Sequence, residues 1–291
     1  MRKRFAFAAR VAVATAVVAA KTTALAPAPA ASQSSSFVSP TGEVDWNRFY
    51  TAAETNQILR EFAALYPGLT ELHQVGESFY GQPLMMITIT NEATGPAAGK
   101  PAFYVDGGIH AGELTGSAVA THLIGHLLNG YGNDSRVTAL LDTRAFYVRP
   151  KFNPDGSDLA LIDDHFLRST PRPFDDDEDG VADEDPPEDL DGDGWITQIR
   201  VPDPDGIWVA APDDDRIMVR DPEMQRAGLR FSTMREGVDN DGDGTINEDG
   251  IGGLDMNRNF PRNWERAHRQ PGASDYPLSE PETRAAAEFI N

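Results

Sequence analysis

The stretch Ala102-Phe103-Tyr104-Val105-Asp106-Gly107-Gly108-Ile109-His110-Ala111-Gly112-Glu113 decides how this chain folds. Its first four residues are apolar and β-prone, which predicts a strand, and the paired glycines end it. Ser117 to Leu128 follows, apolar at Val119, Leu123, Ile124, Leu127 and Leu128, which is helical spacing. Ala145-Phe146-Tyr147-Val148 is a second β-rich run. Strand, helix, strand predicts an α/β sheet, whose sites collect at the carboxyl ends of strands. His110 and Glu113 lie at such an end. An imidazole and a carboxylate three residues apart at a helical turn reach one cation from the same side, and their N and O donors suit zinc.

Working outward, Leu84 to Thr90 predicts a further strand, and Trp46, Phe49, Ile58, Leu59, Phe62 and Leu65 recur as on a helix that stops at Tyr66-Pro67-Gly68. His122 and His126 sit on the apolar-patterned helix, where packing is expected. His73 and His165 have no partner motif.

The amino terminus reads as an address. Arg2-Lys3-Arg4, a largely apolar run from Phe5 to Ala20, and small residues through Ala30 predict a secretory signal over 1–30. Val11 to Ala20 is too short to span roughly 30 Å of hydrocarbon, so no membrane anchor remains after cleavage. Residues 31–44 predict a flexible lead and 45–291 the folded domain. The expected location is extracellular or periplasmic, and with no cysteine in 291 residues disulfides do not stabilise the protein there. A net charge of −21 argues against a nucleic-acid partner.

Three further blocks follow in order: Asn153-Pro154-Asp155-Gly156; Asp255-Met256-Asn257-Arg258-Asn259-Phe260; and Ser279-Glu280-Pro281-Glu282-Thr283. Together with His-x-x-Glu they resemble the zinc carboxypeptidases of the A and T type. That resemblance implies a mixed, mostly parallel sheet with helices on both faces, Zn2+ as cofactor, and peptide or protein carboxyl termini as substrates. His110 and Glu113 match two of three protein zinc ligands, and Asp255 the carboxylate that orients the histidine. Asn257 and Arg258 match the pair that grips the substrate's terminal carboxylate. The family's oxyanion-stabilising arginine fits Arg168 better than Arg172. A cell-wall peptide amidase of the same fold and a non-catalytic calcium-dependent binding protein are the alternatives. The family's third ligand, its catalytic glutamate and a substrate-binding tyrosine follow the Ser-Glu-Pro-Glu-Thr helix. His268 precedes that helix and lacks the third ligand's context. The chain therefore reads as carboxyl-terminally truncated and, by itself, inactive.

Between Asp175 and Asp249 stand 25 acidic and 6 basic side chains, a net of −19, so nearly all the charge belongs to one insertion. Within it Asp recurs at i, i+2 and i+4 before Gly three times: Asp175, Asp177, Asp179; Asp189, Asp191, Asp193; and Asp239, Asp241, Asp243. This resembles the first half of an EF-hand loop, in which alternating carboxylates face one hard cation. Pro186, Arg200 and Gly250 occupy the position where a bidentate glutamate belongs. An irregular insertion with loose Ca2+ loops is the expectation.

Overall fold

A computed structural model describes residues 37–162, 167–173, 180–193, 196–247 and 251–290. The signal, His165 and the first aspartate triplet, Asp175, Asp177 and Asp179, lie outside the described residues. Helix α1 (Ala52–Leu65) starts later than the Trp46 periodicity suggests, because Thr51 and Glu54 form a capping box. Thr51 Oγ1 accepts from the Glu54 amide at 3.2 Å and the Glu54 carboxylate from the Thr51 amide at 2.9 Å. Two orphan amides are thereby satisfied. Trp46 and Phe49 stand before the helix and are exposed.

Strands β1 (Thr70–Glu77) and β2 (Pro83–Ile89) make an antiparallel hairpin, and β3 (Ala102–Asp106) runs through the Gly107-Gly108 turn into helix α2 (Leu114–Gly130). Helix α3 (Ser135–Thr143), strand β4 (Ala145–Arg149) and helix α4 (Pro154–Ile162) follow. The sheet order is β1-β2-β4-β3. It is mixed, but the expected parallel majority is absent among these four strands: β1–β2 and β2–β4 are antiparallel and only β3–β4, the pair joined through helices, is parallel. The tight Ser78–Gln82 turn between β1 and β2 permits no crossover.

Helices do cover both faces. On one, Ile58, Leu59 and Phe62 of α1, Ile124 and Leu128 of α2, and Leu141 of α3 pack on Ile87, Ile89 and Val148. Each such side chain, fully withdrawn from water, contributes roughly 1.5–3 kcal/mol. Phe37, Val38 and Val44 join this cluster, and Val38 pairs with Val44, so the lead is packed from residue 37 onward. Its few apolar side chains flank a turn and can be buried together. On the other face Tyr104 and Tyr147 meet Phe289 of the last helix, α5 (Pro281–Ile290). There the fully buried Arg149 donates to the Glu282 carbonyl at 2.9 Å and the Phe152 carbonyl at 3.0 Å.

The insertion is not irregular throughout. Strand β5 (Thr170–Arg172) opens it and pairs antiparallel with β10 (Gly252–Leu254), which closes it. Between them β6 (Gln198–Pro202), β7 (Trp208–Ala210), β8 (Met218–Arg220) and β9 (Arg230–Arg235) form a second antiparallel sheet in the order β6-β9-β7-β8. Three-residue strands set among Asp, Pro and Arg carry little periodic signal.

Lys151, between β4 and α4, is buried, with Nζ donating to Ser157 Oγ at 2.9 Å. Burial drives its pKa down to about 8, against the opposing pull of Asp158 and Glu54. Between pH 8 and the unfolded value near 10.5 the unfolded chain binds the extra proton, so stability rises with pH in that window, by about 3 kcal/mol at most. Urea titrations of wild type and Lys151→Met across this range should show the slope only in wild type; equal slopes reject the assignment.

Candidate active site

The turn after β3 carries the first two residues of the site. The Gly107 amide donates to the Arg149 carbonyl at 3.1 Å, and the Phe152 and Asn153 amides donate to the Gly107 and Gly108 carbonyls at 2.9 and 3.0 Å. A Cβ on Gly107 would collide with the Gly116 carbonyl, and one on Gly108, whose φ is +71°, with the Ser117 hydroxyl. Only glycine lets the turn pass this close to the first turn of α2. His110 and Glu113 are thereby brought to one spot, Glu113 at the N-cap of α2.

His110 is buried. Its Nδ1 lies 3.1 Å from Glu113 Oε2, and its Nε2 lies 3.3 Å from Asp255 Oδ1, too poorly aligned for a hydrogen bond. Two donors on adjacent vertices of a tetrahedral zinc stand about 3.3 Å apart. The Nδ1–Oε2 edge fits such an ion, and the carboxylate beyond Nε2 is placed to fix the tautomer. Among the described residues no third His, Asp or Glu converges with this pair as a ligand set.

Arg168 reaches the same spot from the segment before β5. The Ala111 and Gly112 amides donate to the Arg168 and Leu167 carbonyls at 3.2 and 2.8 Å. Arg168 Nε donates to Asp255 Oδ2 at 3.0 Å, its Nη1 lies 3.5 Å from Glu113 Oε1, and half of its side chain is exposed. Arg172 points elsewhere: its guanidinium stacks on Phe79 at 4.1 Å and pairs with Glu280 and Glu282. The structure thus brings Arg168, and not Arg172, to His110.

Asp255 caps the short 3-10 turn Met256–Arg258 by accepting from the Asn257 amide at 2.8 Å. Arg258 Nη1 stands 3.9 Å from Asp255 Oδ2, its side chain is one-third exposed, and Asn257 is exposed beside it. His268 is exposed and His73 is bonded to Thr88 at 2.8 Å, so neither joins the cluster.

Sequence reasoning left Asn259 without a role, although it ties the Asp255 segment to α5. Fully buried, its Oδ1 accepts from the Glu280 amide at 3.2 Å and from the Thr283 hydroxyl, and its Nδ2 donates to Ser279 Oγ at 2.8 Å and Ser274 Oγ at 2.5 Å. A signal existed in its position between Arg258 and an apolar Phe-Pro, where a polar side chain must find partners.

In the insertion Asp189 and Asp191 converge with Glu236, which the sequence did not single out, while Asp193 donates its amide to Asp191 Oδ1 at 3.1 Å. Asp239, Asp241 and Asp243 converge as expected. The Glu236 carboxylate accepts from the Thr197 hydroxyl, the Thr197 amide and the Leu190 amide, and these bonds hold it below the usual glutamate range. Asp185, fully buried, accepts from the Asn240 and Asn247 amides at 3.2 and 2.7 Å. Leu190 and Thr197 stand in one loop where Asn240 and Asn247 stand in the other, so each loop clasps the acid that precedes its counterpart.

Residues 55–186 match the family model described as zinc carboxypeptidase. Similar curated proteins include carboxypeptidase B of Astacus astacus, 30% identical over 127 residues, covering 44% of this chain and 40% of that protein. Carboxypeptidase A2 of Rattus norvegicus is 30% identical over 129 residues, covering 44% and 30%. The chain thus spans less than half the length of these relatives. Among solved structures, thrombin activatable fibrinolysis inhibitor superposes over 87% of this chain and 46% of its own, with a TM-score of 0.54 at 19% identity. Carboxypeptidase A from Helicoverpa armigera gives 0.53 at 16% identity over 87% and 44%. At such identities the likeness concerns the fold.

Asn259→Ala should cost about 2–4 kcal/mol in urea unfolding, because several buried groups lose their partner at once. A loss under about 1 kcal/mol contradicts this role.

Proposed function

This chain belongs to the zinc carboxypeptidase family, and from that premise we propose that it serves a secreted metallocarboxypeptidase that hydrolyses the last peptide bond of peptides and proteins. The observation that carries the reading is His110 held between Glu113 and Asp255, with Arg168 and Arg258 both reaching the same Asp255. His110 Nδ1 and the Glu113 carboxylate are the zinc donors, and Asp255 keeps the imidazole in the tautomer that leaves Nδ1 free. Bound zinc supplies a water of lowered pKa and a polarised carbonyl. Arg168 presents a half-exposed guanidinium beside the donors, where it stabilises developing oxyanion charge. Arg258 offers a planar fork to the terminal carboxylate and Asn257 a directed amide, so cleavage falls one residue from the chain end. A third donor and a proton-accepting glutamate are required for turnover, and a chain extended past Asn291 is the form in which activity is expected. The basic and apolar residues 2–20 support export.

Calorimetry on wild type and Arg258→Ala, with a free-acid peptide and its amide, tests the clamp. The variant should weaken the free acid by about tenfold or more and leave the amide unchanged, whereas equal losses reject it. In parallel, Asp255→Ala should lower zinc affinity about 10–100-fold.

The proposal extends to Ca2+ in the insertion, on the two carboxylate triplets Asp189-Asp191-Glu236 and Asp239-Asp241-Asp243. Chelating calcium should lower the melting temperature by about 5 °C or more and speed proteolysis within 180–247. Unchanged melting and cleavage rule the ion out.

A further inference from the structure

His122 and His126 are not packed into the core. Both are exposed on α2, and their rings lie nearly parallel, 9° between planes, with centroids 6.5 Å apart. Residues four apart on a helix have Cβ atoms about 5–6 Å apart, the spacing from which two imidazoles reach one ion. The rings contact each other and, for His122, the Trp46 indole at 5.0 Å; among the described residues neither makes a hydrogen bond.

Across from them a second strand of evidence converges. A groove of about 290 Å³ is lined by His122, His126, Trp46 and Glu43. The turn that carries Glu43 is fixed against this helix: Asn129 Nδ2 donates to the Gly42 carbonyl at 3.2 Å, and Tyr66 donates its hydroxyl to Asn129 Oδ1 at 2.6 Å. Gly42, at φ +83°, leaves no room for a side chain there. The Ser39 amide donates to the Glu43 carbonyl at 2.8 Å, which closes the turn. Asp134, the N-cap of α3, adds negative charge within electrostatic reach of His126.

We propose that His122, His126 and Glu43 form a binding site for a transition-metal dication of the zinc or copper class, separate from the His110 centre. Two imidazoles and one carboxylate are the donor set such ions take, while Ca2+ prefers oxygen alone. Rotation about the broad terminal torsion of each histidine aims its ring nitrogens into the groove. Along α2, Glu113 and His126 are about 20 Å apart, so one ion cannot serve both places. Binding would staple the chain's first ordered turn to the helix that leads away from the active site.

Histidine-ring NMR on the tag-free full chain in excess Ca2+, titrated with Zn2+, tests this site by site. His122 and His126 ring nitrogens should shift together, and calorimetry with Zn2+ should count one more ion in wild type than in His122→Ala/His126→Ala. Glu43→Gln should weaken that ion at least about threefold and each single alanine about tenfold. Both histidines are exposed on a helix, where alanine is well tolerated, and the ring shifts in wild type do not depend on any variant folding. Failure of the two rings to shift together, or equal stoichiometry in wild type and double variant, overturns the site.

Discussion

The site depends on one buried carboxylate. Asp255 faces His110 through one oxygen and Arg168 and Arg258 through the other, while its amide donates to the Gly272 carbonyl at 2.8 Å. A buried charge is costly unless paired, so these partners are held where they are by the need to satisfy it. The same demand works in reverse. Two guanidiniums near a prospective cation would repel it, and Asp255 and Glu113 offset them, leaving Arg168 with donors directed toward the pocket.

Asp255 lies far along the chain from His110, beyond the insertion, and the β5–β10 pair resolves that distance. Thr170 pairs with Leu254 and Arg172 with Gly252, so the chain leaves beside Arg168 and returns beside Asp255. A Cβ on Gly253 would strike the Thr170 carbonyl, which explains a glycine in this strand. The entropic cost of closing a loop grows only logarithmically with its length, so a long insertion costs little more than a short one once its base is clamped. The second sheet, β6-β9-β7-β8, can therefore be large without moving the residues at its base.

How much of this was legible in the sequence varies with the range of the forces involved. Strands β2, β3 and β4 and helix α2 were readable because period and glycine punctuation are local signals. The late start of α1 was readable too, had the Thr51–Glu54 box been weighed against Trp46 and Phe49. The pairing of His110 with Glu113 was local, whereas Asp255 and Arg258 came only through family resemblance, since nothing near them in sequence names a histidine so far upstream. Exposure of His122 and His126 was hidden because a helix with apolar residues on most sides gives no clear direction to its polar ones. Arg172 was separable from Arg168 only through its partners Phe79, Glu280 and Glu282, which no spacing rule connects to it.

The two acidic loops show why the insertion's charge is tolerated at all. Each triplet concentrates negative charge, and the acids buried nearest to them, Asp185 and Glu236, would compound it. Both acids are met by amides, and the amides come from the opposite loop: Asn240 and Asn247 for Asp185, Leu190 and Thr197 for Glu236. Neither acid can be satisfied unless the other's loop has formed, so the two fold as a unit. The Glu188 amide, which donates to the Glu236 carbonyl at 2.9 Å, adds a direct backbone link. The exposed triplet Asp239-Asp241-Asp243 is screened by solvent, but Asp189 and Asp191 share their cluster with a buried partner, where screening is weaker. A divalent cation would relieve the second cluster more than the first, and through the shared acids its effect would reach both loops.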